Sequence, residues 1–264
     1  MMRYVPGRLV PILLYHHMGG IGRPSRSYLD PALFENQLDF MKRGGYSVTD
    51  LASLAEEMRA GIRVPPRRIV ITFDDGWRDT YLAAFPILCR FRVPATIFLV
   101  SGRIGMKDYV GWEEIREMRR SGVSFGAHTV SHPRLTELHP GEAKREIEES
   151  KKIIEDGLGE RVTTFCYTYG FFNRAVRDMV EAAGYRAACC NSPGRLWPDG
   201  DLFALKRVSM TYRMRNRFML AAALSGYYVY FKELRVGNKP YIKSQIQPAM
   251  KAGCPAGWRD KSQN

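Results

Sequence analysis

The stretch Ile69-Val70-Ile71-Thr72-Phe73-Asp74-Asp75-Gly76 decides the fold class of this chain. An unbroken run of β-branched and aromatic residues is typical of a buried parallel strand, and the two carboxylates and the glycine mark its end. Similar runs recur along the chain, with amphipathic segments between them. This alternation predicts β/α units around a parallel sheet. The predicted strands are 10–15, 69–73, 95–100, 123–127, 163–167, 185–189 and 204–209.

Helices are predicted between the strands, starting from residues that suit helix ends. Asp30 can cap a helix that has Pro31 in its first position, and Gly44-Gly45 can end it. The clearest helix is 142–158, because its aliphatic residues fall on one face. His139, just before it, is interpreted as a surface loop residue. The predicted starts of the other helices are Asp50, Asp79 and Trp112.

The composition allows one large core, because 45% of the 264 residues are hydrophobic. We predict a catalytic domain over 1–210 and a basic, aromatic C-terminal helix and tail over 211–264. From Phe203 to Asn264 there are 12 Lys/Arg and 2 Asp/Glu, so most of the net charge of +13 lies there. The body is nearly neutral and carries no recognition motif, so no nucleic-acid partner is expected.

Cysteine usage and hydropathy bear on the cellular compartment. The five cysteines show no C-x-x-C spacing, which favours reduced thiols and a cytoplasmic protein. Pro11 breaks the first apolar run and no cleavage site follows, so no signal peptide is expected. No stretch reaches the roughly 18 apolar residues of a membrane span.

The aromatic stretch 218–231, with arginines before it, could lie on an anionic membrane at the inner face. Such a contact would bring the protein to lipid-linked molecules. The alternative is a final barrel helix with a solvated basic face.

Polar residues follow four of the predicted strands at their carboxyl ends, where loops of parallel β/α folds gather functional groups. They are Tyr15-His16-His17, Asp74-Asp75-Gly76, 128–132 and Tyr169-Gly170. Two imidazoles and one carboxylate can hold a catalytic divalent metal and leave a position for water. His128 and His132 supply the imidazoles. Either Asp74 or Asp75 can be the third ligand, which leaves the other as a base.

Two of these segments resemble the first two motifs of the polysaccharide deacetylase family, also called NodB-like or carbohydrate esterase family 4. They are Thr72-Phe73-Asp74-Asp75-Gly76 and His128-Thr129-Val130-Ser131-His132-Pro133. The similarity covers roughly 10–210. It continues through Pro94-Ala95-Thr96-Ile97-Phe98, Trp112, Gly126 and 165–170. The resemblance implies a distorted (β/α)7-type barrel of the NodB-homology kind, in a single domain.

Carried over onto matching positions, the resemblance implies roles for individual residues. Asp75, His128 and His132 would be the metal ligands. Asp74 would be the general base, and the backbone N–H of Tyr169 would help to hold the oxyanion. The implied cofactor is one divalent metal, Zn²⁺ above all, with Co²⁺, Ni²⁺ or Mn²⁺ as alternatives.

The catalytic acid of the family is a histidine near the C-terminal end of the domain, but this chain has no histidine after His139. The segment 10–16 has the apolar-run-then-His form of that motif. Because the first and last strands of a barrel are neighbours, a permuted order can bring His16 to the same place. Family members of the poly-N-acetylglucosamine deacetylase type have a similar Tyr-His pair. We therefore predict His16 as general acid and His17 as a residue that lines the pocket.

Two further departures from the family concern the segment 162–170. Thr168 stands where the family has proline, and the loss of the fixed φ of proline is expected to loosen the loop that presents Tyr169. The arginine that some relatives have in the third motif has no counterpart there. Cys166 is interpreted as a small core residue, because no basic partner is evident beside it.

Aromatic residues near the predicted site are candidates for substrate binding. Packing in the core or in loops is the alternative, above all for Trp112. The candidate substrate-binding residues are Trp77, His17, Trp112 and Phe171, with Tyr169 beside them.

The predicted function is removal of N-acetyl groups from amino sugars of a polysaccharide or glycolipid. A metal would activate water, Asp74 would take its proton, and His16 would protonate the departing amine. Two alternatives stay open: a catalytically inactive carbohydrate-binding relative, and a deacylase or deformylase of another amide.

Overall fold

Strands and helices alternate along the chain, as the apolar pattern predicts. The computed structural model describes residues 10–19, 28–191 and 200–229. Its strands are β1 (Ile12–Tyr15), β2 (His17–Met18), β3 (Tyr28–Leu29), β4 (Ser47–Thr49), β5 (Arg68–Phe73), β6 (Ala95–Leu99), β7 (Val123–Ala127), β8 (Thr164–Cys166), β9 (Ala187–Cys190) and β10 (Leu205–Ser209). Its helices are α1 (Pro31–Arg43), α2 (Leu51–Arg59), α3 (Phe85–Phe91), α4 (Trp112–Arg120), α5 (Pro140–Leu158), α6 (Arg174–Ala182) and α7 (Arg217–Leu224). Each predicted strand is present, with its ends within about two residues of the prediction.

Seven parallel strands close into a barrel in the order β1-β10-β9-β8-β7-β6-β5, because β5 pairs back with β1. At this seam Tyr15 of β1 faces Phe73 of β5, and Leu14 faces Ser209 of β10. The carboxyl ends of the first strand, the last strand and the strand before the two aspartates therefore meet at one rim. The predicted (β/α)7-type barrel is confirmed, and its first and last strands are neighbours.

The short strand β4 distorts this barrel. It pairs with the first half of β5, where Ser47 faces Arg68 and Thr49 faces Val70, while the β5–β6 pairing starts at Thr72. Because β1 occupies one edge of β5, β4 and β6 share the other edge. β4 thus lies outside the closed ring and extends it on the side of the amino ends.

Side chains alternate between two buried clusters with the two-residue period of strands. In β5, Ile69 and Ile71 belong to the main cluster, which the helices cover. Val70 belongs to a second cluster with Ile12 of β1 and Phe98 of β6. Continued past the end of β5, the same period puts Asp74 on the side of Val70, towards the inside of the barrel.

Two helix starts are capped as predicted. Asp30 accepts a hydrogen bond from the Ala32 N–H at 2.7 Å and caps α1. Asp50 accepts one from the Ser53 N–H at 3.1 Å and caps α2. Such a side-chain cap satisfies a backbone donor that has no partner inside the helix. α4 also begins at its predicted residue, Trp112.

Two other predicted helices are present, with details at their starts that the sequence did not predict. Asp79 precedes a π-helical turn that runs into α3, but its carboxylate contacts Nδ1 of His17 at 2.8 Å and does not cap the turn. α5 begins at Pro140, before the predicted start, because His139 caps it: Nδ1 of His139 accepts a hydrogen bond from the Gly141 N–H at 3.3 Å. His139 is exposed and lies just outside the helix, as predicted, and in addition it caps α5.

The described part of the C-terminal segment packs on the barrel. α7 buries Leu220 and Leu224 against the main core, whereas Phe218 is 87% exposed. Within the described ranges, no helix has the length and apolar composition that crossing a membrane takes. The domain boundary at 210/211 stays a prediction. Most of the predicted tail, 230–264, lies outside the described residues.

The cysteines and the chain start bear on the predicted compartment. Cys89, Cys166, Cys189 and Cys190 are free thiols. Cys254 and the segment 1–9, which bears on the expected lack of a signal peptide, lie outside the described residues. The cytoplasmic location stays a prediction.

Candidate metal centre and active site

Three predicted ligands converge at the rim of the barrel. Oδ1 of Asp75, which follows β5, lies 3.5 Å from Nε2 of His128 and 3.3 Å from Nε2 of His132. His128 follows β7, so two strands and the loop between His128 and His132 bring these atoms together. One ligand atom from each residue lies within 4.8 Å of the other two. The structure thus brings together the carboxylate and the two imidazoles that the sequence singled out.

His128 is held with one defined ring nitrogen towards Asp75. It is 1% exposed, and its Nδ1 lies 2.7 Å from the carbonyl oxygen of Cys166. Because a carbonyl can only accept, Nδ1 is the donor, and Nε2 of the neutral ring carries the lone pair. A hydrogen bond of this kind fixes the tautomer and orientation of a metal-binding histidine.

The left-handed backbone of two ligands helps to aim their side chains. Asp75 has φ 72° and His132 has φ 68°, a region that non-glycine residues seldom adopt. The His132 N–H donates to Oγ1 of Thr129 at 3.0 Å, which ties the two ends of this turn. Unfavourable φ values of this type gather at functional sites, where the surrounding structure enforces them.

Asp74 faces a different partner. It is 4% exposed and accepts two hydrogen bonds from Arg207 of β10, from Nη1 to Oδ1 and from Nη2 to Oδ2, each at 2.7 Å. Burial raises the pKa of Asp74, but the charge and hydrogen bonds of Arg207 outweigh it and leave the pKa below its ordinary value. Asp75 therefore contacts the two histidines, and Asp74 beside it stays ionised.

Sequence reasoning missed Arg207. An arginine does reach the site, from β10 and not from 162–170. A signal was present in the sequence: period 2 along β10 puts Arg207 on the same face as Leu205 and Ser209, and a charge inside a barrel needs a buried counter-charge. Arg207 also lies 3.0 Å from Sγ of Cys166, so that cysteine has a basic partner after all. Burial keeps the pKa of the Cys166 thiol above its ordinary value, which agrees with a core role.

His16 follows β1 at the seam of the barrel. Its Nε2 is 4.0 Å from Oδ2 of Asp74, and its side chain is 32% exposed. Burial lowers the pKa of His16, although Asp74 and Asp75 pull it upwards. The predicted acid therefore lies beside the predicted base, directly after a strand that pairs with both β5 and β10.

His17 and Trp77 belong to a stack of rings on one side of the site. His17 stacks on Tyr28 and contacts Trp77 with its ring tilted by 31°, each with centroids 4.2 Å apart. Trp77 stacks on Tyr109 at 4.4 Å. Nε1 of Trp77 donates to Oδ2 of Asp75 at 2.9 Å. The indole ring of Trp77 thus has two ring neighbours, and its side chain is partly exposed. The substrate-binding roles of His17 and Trp77 stay predictions.

Tyr169 and Phe171 form a second group of aromatic residues. Tyr169 is 49% exposed, and its ring lies 4.7 Å from that of His132. The guanidinium of Arg134 lies over both aromatic rings, 5.2 Å from Tyr169 and 4.8 Å from Phe171. Tyr169 has φ 58°, a strained conformation that directs its peptide group. The roles of Tyr169 in oxyanion binding and of Phe171 in substrate binding stay predictions.

The expected loosening of the loop at Thr168 stays a prediction, and the structure shows a contact that would oppose it. Thr168 is fully buried, and its hydroxyl donates a hydrogen bond to the carbonyl oxygen of Pro133. This bond ties the Tyr169 loop to the segment that carries His132. The hydroxyl of Thr168 therefore supplies a restraint where the family has the fixed φ of proline.

Trp112 packs between helices. Its ring covers Gly157 of α5, where an added Cβ would come within 2.2 Å of the indole. This contact matches the packing alternative, and the substrate-binding role of Trp112 stays a prediction.

The residues at the rim suit a divalent metal. Two imidazole nitrogens and one carboxylate oxygen are a donor set typical of catalytic zinc and of similar ions. A second group of potential ligands, Asp74, His128 and Cys166, is also within reach of one ion. Arg207 contacts both Asp74 and Cys166, and its positive charge would oppose a cation at that second place.

Comparisons with known proteins agree with these features. Residues 61–188 match the family model described as polysaccharide deacetylase. YxkH of Bacillus subtilis (strain 168), provisionally named a polysaccharide deacetylase, is 29% identical over 206 residues, 78% of this chain and 72% of YxkH. A poly-β-1,6-N-acetyl-D-glucosamine N-deacetylase of Staphylococcus aureus (strain MRSA252) is 24% identical over 189 residues. That match covers 66% of this chain and 65% of the staphylococcal enzyme, just under two thirds of its length.

A solved structure shares the fold. Streptococcus pyogenes deacetylase PplD, in complex with acetate, superposes with a TM-score of 0.75 at 24% identity. The superposition covers 81% of this chain and 97% of PplD.

The closed barrel and this structural likeness define the class of protein, a NodB-like (β/α)7 barrel. Residues 61–188, just under half of the chain, match the polysaccharide deacetylase family, and YxkH carries the same family name. The resemblance seen in the sequence is confirmed. The permuted order of the motifs and the role of each residue stay predictions.

Proposed function

We propose that this chain is a divalent-metal-dependent hydrolase that removes N-acetyl groups from the amino sugars of a polysaccharide. One observation carries the proposal: Oδ1 of Asp75 lies within 3.5 Å of Nε2 of both His128 and His132, beside the separate Asp74 carboxylate. The match of residues 61–188 to the polysaccharide deacetylase family supports the same reaction.

Asp75, His128 and His132 would hold the metal, and Zn²⁺ suits their nitrogen and oxygen donors best. When bound, the ion supplies Lewis-acid chemistry, which polarises the amide carbonyl and lowers the pKa of water. Trp77 donates to the second oxygen of the Asp75 carboxylate and so fixes its orientation.

Asp74 is the proposed general base. Arg207 keeps it ionised and fixes both of its oxygens, so it can take a proton from the attacking water without first losing one. His16, with Nε2 4.0 Å from Asp74, is the proposed acid for the departing amine. The Tyr169 N–H is the proposed donor to the oxyanion, and a donor of this kind contributes about 3 kcal/mol to transition-state stability.

The proposed substrate is a polymer of N-acetylated amino sugars. The name of the staphylococcal relative supports a β-1,6-linked N-acetylglucosamine polymer as the first candidate. The half-exposed ring of Tyr169, with Phe171 next to it, supports binding of a sugar face at the mouth of the site. A glycolipid is the alternative acceptor of the same reaction.

Metal content and acetate release, measured together, test the proposal. Wild type, His128→Ala and Asp74→Asn are compared on N-acetylated oligosaccharides and lipid-linked N-acetyl sugars, with exposed His139→Asn as matched control because asparagine also caps helices. We expect one metal per wild-type chain and acetate release. His128→Ala is expected to lose metal, whereas Asp74→Asn keeps metal and loses turnover.

Other outcomes identify the alternatives. Metal without turnover on any sugar would favour an inactive carbohydrate-binding protein or a deacylase of another amide, which a panel of formamides would detect. A wild-type chain that takes up no divalent metal would overturn the proposal.

We also propose peripheral contact between the C-terminal segment and an anionic membrane surface. Phe218 projects from the first turn of α7, and Arg213, Arg215 and Arg217 beside it are exposed. An exposed ring flanked by arginines suits the boundary of anionic lipids. Cosedimentation with vesicles containing phosphatidylserine at physiological salt, lost in Phe218→Ser, is the expected result. Wild-type protein that stays in the supernatant would overturn it.

A further inference from the structure

The loop from His128 to Pro133 carries both imidazoles of the candidate metal centre in an unfavourable backbone conformation. Thr129 has φ 66° and His132 has φ 68°, although neither is a glycine. Left-handed φ values at two non-glycine residues in one short loop persist only where surrounding contacts enforce them.

Contacts on one side of the loop use its carbonyl groups. The N–H of Ser101 donates to the Thr129 carbonyl and the N–H of Gly102 donates to the Val130 carbonyl, each at 3.0 Å. Gly102 lies so close that an added Cβ would come within 2.7 Å of that Val130 oxygen. The turn after β6 therefore fixes this side of the loop.

A single carboxylate fixes the other side. Oε2 of Glu146 accepts hydrogen bonds from the N–H groups of Val130 and Ser131, at 2.7 and 2.9 Å. Oε1 of Glu146 accepts one from the hydroxyl of Ser131 at 2.6 Å. Two successive amides that point at one anion form a small anion-binding concavity, and hydrogen bonds to a carboxylate are stronger than those between neutral groups.

We propose that Glu146 is a positioning residue for the metal centre, which holds the loop so that both imidazoles face Asp75. This inference rests on the proposed function. Glu146 belongs to α5, a rigid helix of 19 residues, and lies on its half-buried side. Its carboxylate accepts hydrogen bonds from the N–H groups of Val130 and Ser131, which lie between His128 and His132 in the chain. Without it, the N–H groups of Val130 and Ser131 lose their acceptor, and the left-handed turn at His132 loses one of its restraints.

Glu146 could not be recognised from the sequence. α5 also contains Glu148 and Glu149, which are exposed, and spacing along the helix does not tell which glutamate meets the loop. The identity of the anchoring residue follows from how α5 lies against the loop after β7.

The test uses variants of the full chain with two readouts. Glu146→Ala removes the carboxylate, and Glu146→Asp keeps the charge but shortens its reach by one methylene. Glu149→Ala and Glu149→Asp are matched controls on the exposed face of α5. Amide hydrogen exchange of Val130 and Ser131 is measured in metal-free protein, and Co²⁺ affinity is measured by the visible absorbance of the bound ion. Far-UV circular dichroism checks that each variant is folded.

Both Glu146 variants are expected to speed exchange at Val130 and Ser131 by about tenfold or more, and to weaken Co²⁺ binding by about 10–100-fold. The Glu149 variants are expected to match wild type in both readouts. Wild-type exchange in a folded Glu146 variant would overturn the proposal, and so would faster exchange with unchanged Co²⁺ affinity. If Glu146→Ala does not fold, Glu146→Asp decides. If wild type binds no Co²⁺, the proposed function fails, and exchange alone then decides whether Glu146 anchors the loop.

Discussion

Arg207 binds both oxygens of Asp74 at 2.7 Å inside the barrel, although 133 residues separate them in the chain. A guanidinium matches a carboxylate in geometry, so the pair is bidentate and fixes the plane of the carboxylate. Since both residues are almost wholly buried, neither can lose its partner without leaving a charge unpaired in the interior.

Removal of Arg207 should move the acid limb of the pH–rate profile towards neutral pH. Arg207 lowers the pKa of Asp74 against the effect of burial, so in Arg207→Met burial prevails and the pKa rises above its ordinary value of about 3.9. If Asp74 sets the acid limb of kcat/KM, that limb lies below about 3.9 in wild type. In Arg207→Met it should lie above about 3.9. Metal content measured at each pH separates this effect from metal loss. An acid limb unchanged in Arg207→Met would argue against Asp74 as the base.

The same pair should contribute to stability with a defined dependence on pH. Because the pKa of Asp74 is lower in the folded state, its contribution is fully present above the unfolded pKa of about 4 and is lost as pH falls through the folded value. Arg207→Met should cost about 3–5 kcal/mol in the free energy of unfolding at pH 7, as removal of one partner of a buried pair does. Urea unfolding at pH 7 measures it, and Arg207→Lys should lose less. A loss in Arg207→Met no greater than that of an exposed arginine variant such as Arg120→Met would contradict the prediction.

His16 should set the basic limb of the profile. Burial lowers its pKa, so if protonated His16 is the acid, kcat/KM should fall as pH rises through a value below about 6.5. The residual activity of His16→Gln should lack this limb. His139→Asn, which changes an exposed histidine, should keep the profile of wild type. A basic limb that survives in His16→Gln would assign the acid to another group.

The indole N–H of Trp77 should matter for metal affinity more than its ring surface does. Trp77→Phe keeps an aromatic ring between His17 and Tyr109 but removes the donor to Asp75. We expect about tenfold weaker Zn²⁺ binding, because partners of ligand side chains typically contribute 10–100-fold. Competition with a chelating dye measures the affinity. Tyr109→Phe, which keeps the stack, serves as control, and unchanged affinity in Trp77→Phe would refute the role.

Thr168 should influence turnover through its hydroxyl. Thr168→Val keeps the shape but removes the bond to Pro133, so the Tyr169 peptide is less well held. We expect kcat to fall about tenfold with KM nearly unchanged, because the N–H of Tyr169 is proposed to act on the transition state. Thr168→Ser retains the hydroxyl and should stay close to wild type. Equal losses in the valine and serine variants would show that the hydroxyl is not responsible.

Much of the fold could be predicted because it depends on local patterns. The apolar runs located every strand of the barrel, and Asp30 and Asp50 located two helix starts. The ligand cluster was also predictable, because Asp75, His128 and His132 each follow a strand or its loop directly. Parallel strands bring such residues to one rim whatever the length of chain between them.

The rest depends on contacts between segments that have no shared pattern. Period 2 along β10 can place Arg207 inside the barrel, but its partner Asp74 is known only once β10 is placed beside β1. From the sequence, Asp79 is expected to cap a helix, but in the structure its carboxylate contacts His17 instead. The restraint that Thr168 provides could not be predicted, because the sequence does not show that the carbonyl of Pro133 lies next to its hydroxyl. In each case a partner distant in sequence overrides the local preference.

The closure of the barrel at β1 has a consequence for synthesis on the ribosome. Asp74 leaves the ribosome long before Arg207. During synthesis, the carboxylate that is buried in the folded barrel therefore lacks the cation that pairs with it. Until β10 emerges, β1 also lacks one of its two neighbours, and His16 has no fixed position. The nascent chain can build helices and adjacent strand pairs early, but the proposed base and acid reach their final places only when nearly the whole described barrel has been made.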